Sequence, residues 1–207
     1  MDGTYPVEYD VDYPDRPLNR LTSAFRIFTA IPIAIVLGSI GGATEVTTNG
    51  DTSTVVATTS GLLFLPPLLM ILFRRKYPRW WYEFNVELLR FQNRVGVYVA
   101  LMDDRYPSTD EHQSVHLEVP YPDAAQLNRG LPLVKWLLAI PHYIILGFLF
   151  IGAFGAVVIA WFAILFTGRF PRGLFDFLVG VGRWTNRVNA YALILVTDRY
   201  PPFRLGP

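Results

Sequence analysis

From Leu131 to Phe166 the chain is apolar at almost every position, and only Lys135 and His142 could carry charge. One straight helix over this run would be about 50 Å long at 1.5 Å per residue, against a hydrocarbon core about 30 Å thick. The run therefore predicts a helical hairpin over 131–166, turning near Ile151-Gly152-Ala153-Phe154-Gly155, with both ends on one membrane face. Apolar runs at 21–40 and 55–73 predict a second hairpin over 21–73. Between its arms, Thr47-Thr48-Asn49-Gly50-Asp51-Thr52 predicts a β-ribbon within 43–58, because Asn-Gly adopts the backbone a tight hairpin turn needs. Outside these runs the period changes. Val7, Tyr9, Val11 and Tyr13 alternate with Glu8, Asp10 and Asp12, which predicts a half-buried strand. Val115, Leu117 and Val119 predict another. Segments 78–95 and 171–188 each open on Pro-Arg and carry apolar residues at helical spacing, which predicts amphipathic helices. Short apolar runs at 97–102 and 191–196 read as closing strands.

The same order of elements occurs twice. Val7–Asp15 aligns with Val115–Asp123, Leu18-Asn19-Arg20 with Leu127-Asn128-Arg129, and Ile31-Pro32 with Ile140-Pro141. Farther on, Tyr77-Pro78-Arg79 aligns with Phe170-Pro171-Arg172 and Asn93-Arg94-Val95 with Asn186-Arg187-Val188. Asp104-Arg105-Tyr106-Pro107 aligns with Asp198-Arg199-Tyr200-Pro201. Register survives with few insertions, which predicts a tandem duplication: residues 1–108, then residues 109–207. The fold class expected is a mainly α membrane protein. It would be made of two parallel repeats of strand, two transmembrane arms, amphipathic helix and strand, with a small cytoplasmic β-sheet.

Composition sharpens this picture. Of 207 residues, 52% are hydrophobic and 17% charged, and the mean hydropathy of +0.30 is high for a soluble domain. A net charge of +1 argues against a nucleic-acid partner. With no cysteine there is no disulfide, thiolate metal site or cysteine nucleophile. The first residues lack the basic start and apolar stretch of a cleavable signal. Arg26, Arg74-Arg75-Lys76, Lys135 and Arg169 all lie at the same mouths of the hairpins, whereas the ribbon has Glu45 and Asp51 but no basic residue. The positive-inside rule then predicts a multi-pass protein of the cell (inner) membrane with both termini cytoplasmic.

Within the second unit three stretches carry a resemblance: Leu133-Val134-Lys135-Trp136-Leu137-Leu138-Ala139-Ile140-Pro141-His142-Tyr143, Phe166-Thr167-Gly168-Arg169-Phe170-Pro171-Arg172, and Thr197-Asp198-Arg199-Tyr200-Pro201-Pro202-Phe203. This unit resembles a family of small bacterial membrane proteins, common in actinobacteria, known as a domain of unknown function. The first unit is a looser copy, with Ile33 where His142 stands. The resemblance implies membrane location and no catalytic residue.

Three sets of residues are candidates for a site. Arg90, Arg94, Arg183 and Arg187 recur at helical spacing in both units, and guanidinium forks at headgroup depth suit lipid phosphates. The competing reading is a solvated helix face paired to Glu83 and Glu87. His142, with Lys135 and Arg26, forms a possible intramembrane polar site, since ionisable groups in a membrane are functional candidates. A neutral imidazole hydrogen-bonded to the backbone carbonyl that Pro141 frees, or to a neighbouring helix, explains His142 without function, and this structural reading is preferred. No metal-ligand spacing, phosphate loop or nucleophile elbow occurs, so no cofactor is expected and an enzyme is the least favoured class. Expected instead is a non-catalytic membrane protein that binds anionic lipid headgroups or a partner complex at its cytoplasmic face. The alternatives are a protomer of an oligomeric transporter or channel, and a lipid-modifying enzyme. The partners implied are membrane lipids and a homo-oligomer or larger membrane complex.

Overall fold

The computed structural model describes residues 5–41, 46–48, 51–53, 59–74, 76–109, 111–124 and 126–207. In chain order the elements are β1 (Glu8–Val11), α1 (Arg20–Ala24), α2 (Arg26–Gly41), β2 (Val46–Thr48), β3 (Asp51–Ser53), α3 (Thr59–Arg74) and α4 (Arg79–Val99). They continue with β4 (Val115–Glu118), α5 (Leu131–Leu138), α6 (Ile140–Thr167) and α7 (Arg172–Ala192).

The alternation of the two long-separated strands has a direct structural outcome. β1 pairs antiparallel with β4, Tyr9 opposite Leu117 and Glu8 opposite Glu118. Tyr9, Val11 and Leu117 are buried, while Glu8, Asp10, His116 and Glu118 stay outside. β2 and β3 pair antiparallel, with Thr48 opposite Asp51; residues 43–45, 49–50 and 54–58 of the expected ribbon lie outside the described residues.

Behind the β1–β4 ribbon lie α4 and α7. Each starts on a proline N-cap with extended backbone, Pro78 and Pro171, a position where the missing N–H is not needed. Their apolar faces form the main core with Val7, Tyr9, Leu117, Val119, Phe170 and Phe175. α7 then packs against α6. Leu146, Ala153, Ala156, Ala160 and Ile164 form the buried face of α6, and the three alanines let the two helices approach closely.

Three expectations change. The run 131–166 is not a hairpin: α6 continues without a break through Gly152-Ala153-Phe154-Gly155, and the one interruption is at Ala139. Gly152 faces the Phe177 ring, so it serves helix packing, not a turn. Nor do strands close the units. Val97 and Tyr98 are buried residues of α4, and Tyr191 and Ala192 of α7, because the 3.6-residue apolar face continues through both segments. The chain then turns sharply at Leu101 and Leu195, with φ of 64° and 56°, a left-handed conformation that ends a helix and is costly for a branched side chain. Finally, a multi-pass arrangement is not supported. Among the described residues only Leu131–Thr167 is long and apolar enough to cross a membrane. α2 and α3, of 16 residues each, would extend about 24 Å.

Candidate functional site

The arginine stripe is occupied by the protein itself. Arg183 donates from Nε to the Tyr9 carbonyl at 3.0 Å and from Nη1 to the Leu205 carbonyl at 3.0 Å. Arg90 makes the matching contact from the other unit, Nε and Nη2 reaching the Leu117 carbonyl at 3.2 and 3.1 Å. Arg94, 8% exposed, donates to the Ser108 and Thr109 carbonyls at 2.7 and 3.0 Å. Arg187, 2% exposed, reaches the Gly206 carbonyl at 3.0 Å and the Arg204 carbonyl at 3.4 Å. Burial, then the nearby charges of Arg204 and Arg183, pull the Arg187 guanidinium below its ordinary range. What the structure gives these four side chains is strand and loop carbonyls, not an open phosphate site. Arg90 keeps an ion pair to Glu87 at 2.5 Å, but Glu83 pairs with Arg79 at 3.0 Å.

Between α4 and α7 the two aligned asparagines meet. Asn93 Nδ2 donates to Asn186 Oδ1 and Asn186 Nδ2 donates to Asn93 Oδ1, both at 2.8 Å. Residues that the sequence alignment pairs thus face each other here, as Tyr9 and Leu117 do in the ribbon. Strands also cross between units: Tyr13 Oη donates to the Phe170 carbonyl and Tyr121 Oη to the Tyr77 carbonyl, both at 2.5 Å. Burial pushes the Tyr5, Tyr9 and Tyr77 phenols well above their ordinary range; Tyr5 donates to the Arg199 carbonyl at 3.0 Å and Tyr77 to the Ile194 carbonyl at 2.6 Å.

Arg26 and Lys135 are brought to equivalent places, but not to each other. Arg26 Nη2 lies 2.6 Å from Asp104 Oδ1 with its guanidinium 4.0 Å from the Tyr98 ring centre. Lys135 Nζ lies 2.7 Å from Asp198 Oδ1 and 5.1 Å from the Tyr191 ring centre, and donates to the Thr197 carbonyl at 2.7 Å. Asp104 and Asp198 each also accept a backbone N–H, from Asn19 at 2.7 Å and Asn128 at 2.6 Å. The Asp-Arg-Tyr-Pro motifs therefore supply a counter-ion for a buried cation at the foot of each apolar helix. The sequence signal was present in the alignment of Arg26 with Lys135 and of Asp104 with Asp198, but nothing linked the two.

His142 is fully buried. Its Nδ1 accepts the Trp184 indole N–H at 3.0 Å, which leaves the ring proton on Nε2. The ring stacks on Phe203 at 4.0 Å and 11° and lies 4.9 Å from Tyr200, and Nε2 has no partner among the described residues. In the first unit Ile33 occupies the His142 position and packs on Phe91, the counterpart of Trp184, and on Val95. A polar pair in one unit is an apolar pair in the other, which marks His142 as a packing residue joined to Trp184. No group of three or more His, Asp or Glu side chains that could hold a metal occurs among the described residues. An open groove of about 760 Å³ lies between α4 and β4, with Glu87, Arg90, His112 and His116 on its walls, but its charges are paired or solvated.

The remaining feature is an apolar surface. Along α6, Phe148, Ile151, Phe154, Ile159, Phe162 and Phe166 point away from the protein, between 51% and 78% exposed. Ile27, Phe28, Ile31 and Ile35 do the same on α2, and Trp136 on α5. No charged residue falls between Lys135 and Arg169.

Residues 132–204 match a family described as Domain of unknown function (DUF4389). No curated protein and no solved structure matches the chain.

Proposed function

We propose that the chain is a non-catalytic membrane module, a tandem duplication of one unit of about a hundred residues, whose apolar helices are seated in a lipid bilayer. One observation carries this reading. α6 has 28 residues and no charge, yet only 17% of the most apolar window of Leu131–Thr167 is buried. A core helix of a soluble protein would be covered on most sides. A face about 42 Å long and about 10 Å wide presents on the order of 400 Å² to its surroundings, a patch of the size, about 300–600 Å², that on a monomer is often functional. At ~25 cal/mol per Å² its transfer from water to lipid contributes on the order of 10 kcal/mol.

The duplication is supported by contacts that recur at aligned positions: the buried cation with its Asp-Arg-Tyr-Pro carboxylate, the arginine on a strand carbonyl, the left-handed leucine after the amphipathic helix. Those polar contacts hold the fold together, and the carboxylate–histidine pair of the ribbon, Asp12 Oδ2 with His116 Nε2 at 2.9 Å, lies exposed on its outer face. The four arginines of the stripe serve these internal contacts. Expressed in cells, the protein should sediment with membranes, resist carbonate and high-salt washing, and be released only by detergent. A monodisperse protein in detergent-free buffer would overturn the reading.

A further inference from the structure

We infer that α5–α6 lies flat within one leaflet, parallel to the membrane plane, and does not cross the bilayer; this rests on the membrane reading above and specifies its geometry.

The first support is what runs beside α6. α7 packs against its start and middle antiparallel: Trp184 bonds His142 near the start of α6 and Phe177 faces Gly152 in the middle, while Phe175 packs on Phe170 in the link that follows α6. α1 adds to this at the far end, where Trp161 Nε1 donates to the Ser23 carbonyl and Leu18 N–H to the Gly168 carbonyl. On the other side of α7 lies β1, with Tyr9 against Gly182 and Tyr13 against Phe175. Helix, helix and strand are thus stacked side by side. A crossing α6 would draw α7 and the ribbon into the hydrocarbon with it. Exposed Glu8, Asp10, Asp12 and Glu118 of the ribbon, and Arg172 and Asp176 of α7, would then lose their water, which charged groups resist strongly.

The second support is the charge at the two ends. Exposed Arg129 precedes the apolar stretch, and exposed Arg20, Arg169 and Arg172 surround its end, with Arg20 beside Gly168. A crossing helix is flanked asymmetrically by basic residues, whereas a helix in the plane carries them at both ends, at headgroup level. The occupant of the apolar face is therefore one leaflet containing anionic lipid. Its acyl chains meet Phe148, Ile151, Phe154 and Phe162, and its phosphates meet the guanidiniums at the ends.

The absence of cysteine makes the test clean. Single cysteines replace exposed residues in the full chain: Arg129→Cys and Arg169→Cys at the ends, Phe148→Cys, Phe154→Cys and Phe162→Cys along the face. In sealed membrane vesicles an impermeant maleimide should label both end positions from the same side. In vesicles of phosphatidylcholine and phosphatidylglycerol, an environment-sensitive fluorophore on the three face positions should be quenched by brominated lipids at one common shallow depth. Lipid brominated near the glycerol should quench about twofold more than lipid brominated near the chain end at all three positions. Labelling of the ends from opposite sides overturns the in-plane seat, as does a face position that reports the bilayer centre while the others do not; either result leaves the membrane reading standing. Absence of quenching at every position, with the unlabelled chain failing to float with vesicles, overturns both. Absence of quenching with crosslinking between copies through these cysteines assigns the face to a second copy, and also overturns the proposal.

Discussion

Replacing Asp198 by alanine isolates the buried cation at the start of the second apolar helix. Lys135 is fully buried, and its ammonium has two oxygen neighbours, Asp198 Oδ1 and the Thr197 carbonyl, each at 2.7 Å. Without the carboxylate the charge keeps one carbonyl and a ring face 5.1 Å away. Stranding one member of a buried ion pair costs about 3–5 kcal/mol. The ceiling is set by letting the lysine lose its proton, about 4.6 kcal/mol at pH 7 from an ordinary lysine. Asp198→Ala should therefore destabilise by roughly 3–4.5 kcal/mol. Lys135→Met leaves a different problem. The Asp198 side chain is 25% exposed and retains the Asn128 N–H at 2.6 Å, so water and one donor still serve it, and roughly 1–2 kcal/mol is expected. The double variant should lie near Lys135→Met alone, giving a coupling energy close to the whole Asp198→Ala cost, roughly 3–4.5 kcal/mol. Urea unfolding in mild detergent micelles, followed by tryptophan fluorescence, measures all three. If Lys135→Met costs as much as Asp198→Ala, or the two effects add, the lysine is not held by this carboxylate and the reasoning fails.

Other consequences can be checked in the same system. A Cβ at Gly182 would come within 2.7 Å of the Tyr9 ring, so Gly182→Ala should cost about 1–3 kcal/mol; Tyr9→Leu should suppress most of that, since Leu89 and Leu117 hold the corresponding positions in the other unit. Burial acts to raise the Asp103 carboxyl, but hydrogen bonds from Ser114 and Arg105, with the Arg105 charge, outweigh it and leave the group below its ordinary value of 3.8. Its folded pKa being depressed, it contributes stability above pH 3.8 that is lost as pH falls through the folded value, and Asp103→Asn should remove that part of the acid unfolding profile. Because β1 braces α7 and β4 lies on Arg90, residues 1–108 and 109–207 expressed separately should each fail to fold, and co-expression should recover a complex by affinity pull-down. A folded, stable 109–207 alone would contradict this cross-bracing.

Much of the local architecture was legible in the chain. Periods of 2 and 3.6 located the paired strands and both amphipathic helices, since side-chain direction alternates along a strand and rotates around a helix. The aligned pairs Arg26/Lys135, Asn93/Asn186 and Asp104/Asp198 pointed to positions that matter, but not to how. Sequence spacing cannot say whether a guanidinium on a helix face meets a phosphate, a solvent molecule or a strand carbonyl 27 or 174 residues away. Only the tertiary structure directs Arg183 to Tyr9 and Arg90 to Leu117. The apolar run at 131–166 forms a continuous α6 in place of a hairpin for the same reason. Two glycines in four residues fit a turn as readily as a close helix contact, and the choice is made by Phe177 arriving from α7. Likewise Val97–Met102 and Tyr191–Val196 have the composition of strands, yet Val97 and Tyr98 extend the buried face of α4, and Tyr191 and Ala192 that of α7, so burial overrides propensity. The sequence alone determined that the stretch from Trp136 to Gly168 carries no Asp, Glu, Lys or Arg; which of its sides are buried is decided by α7 and α1 packed against it.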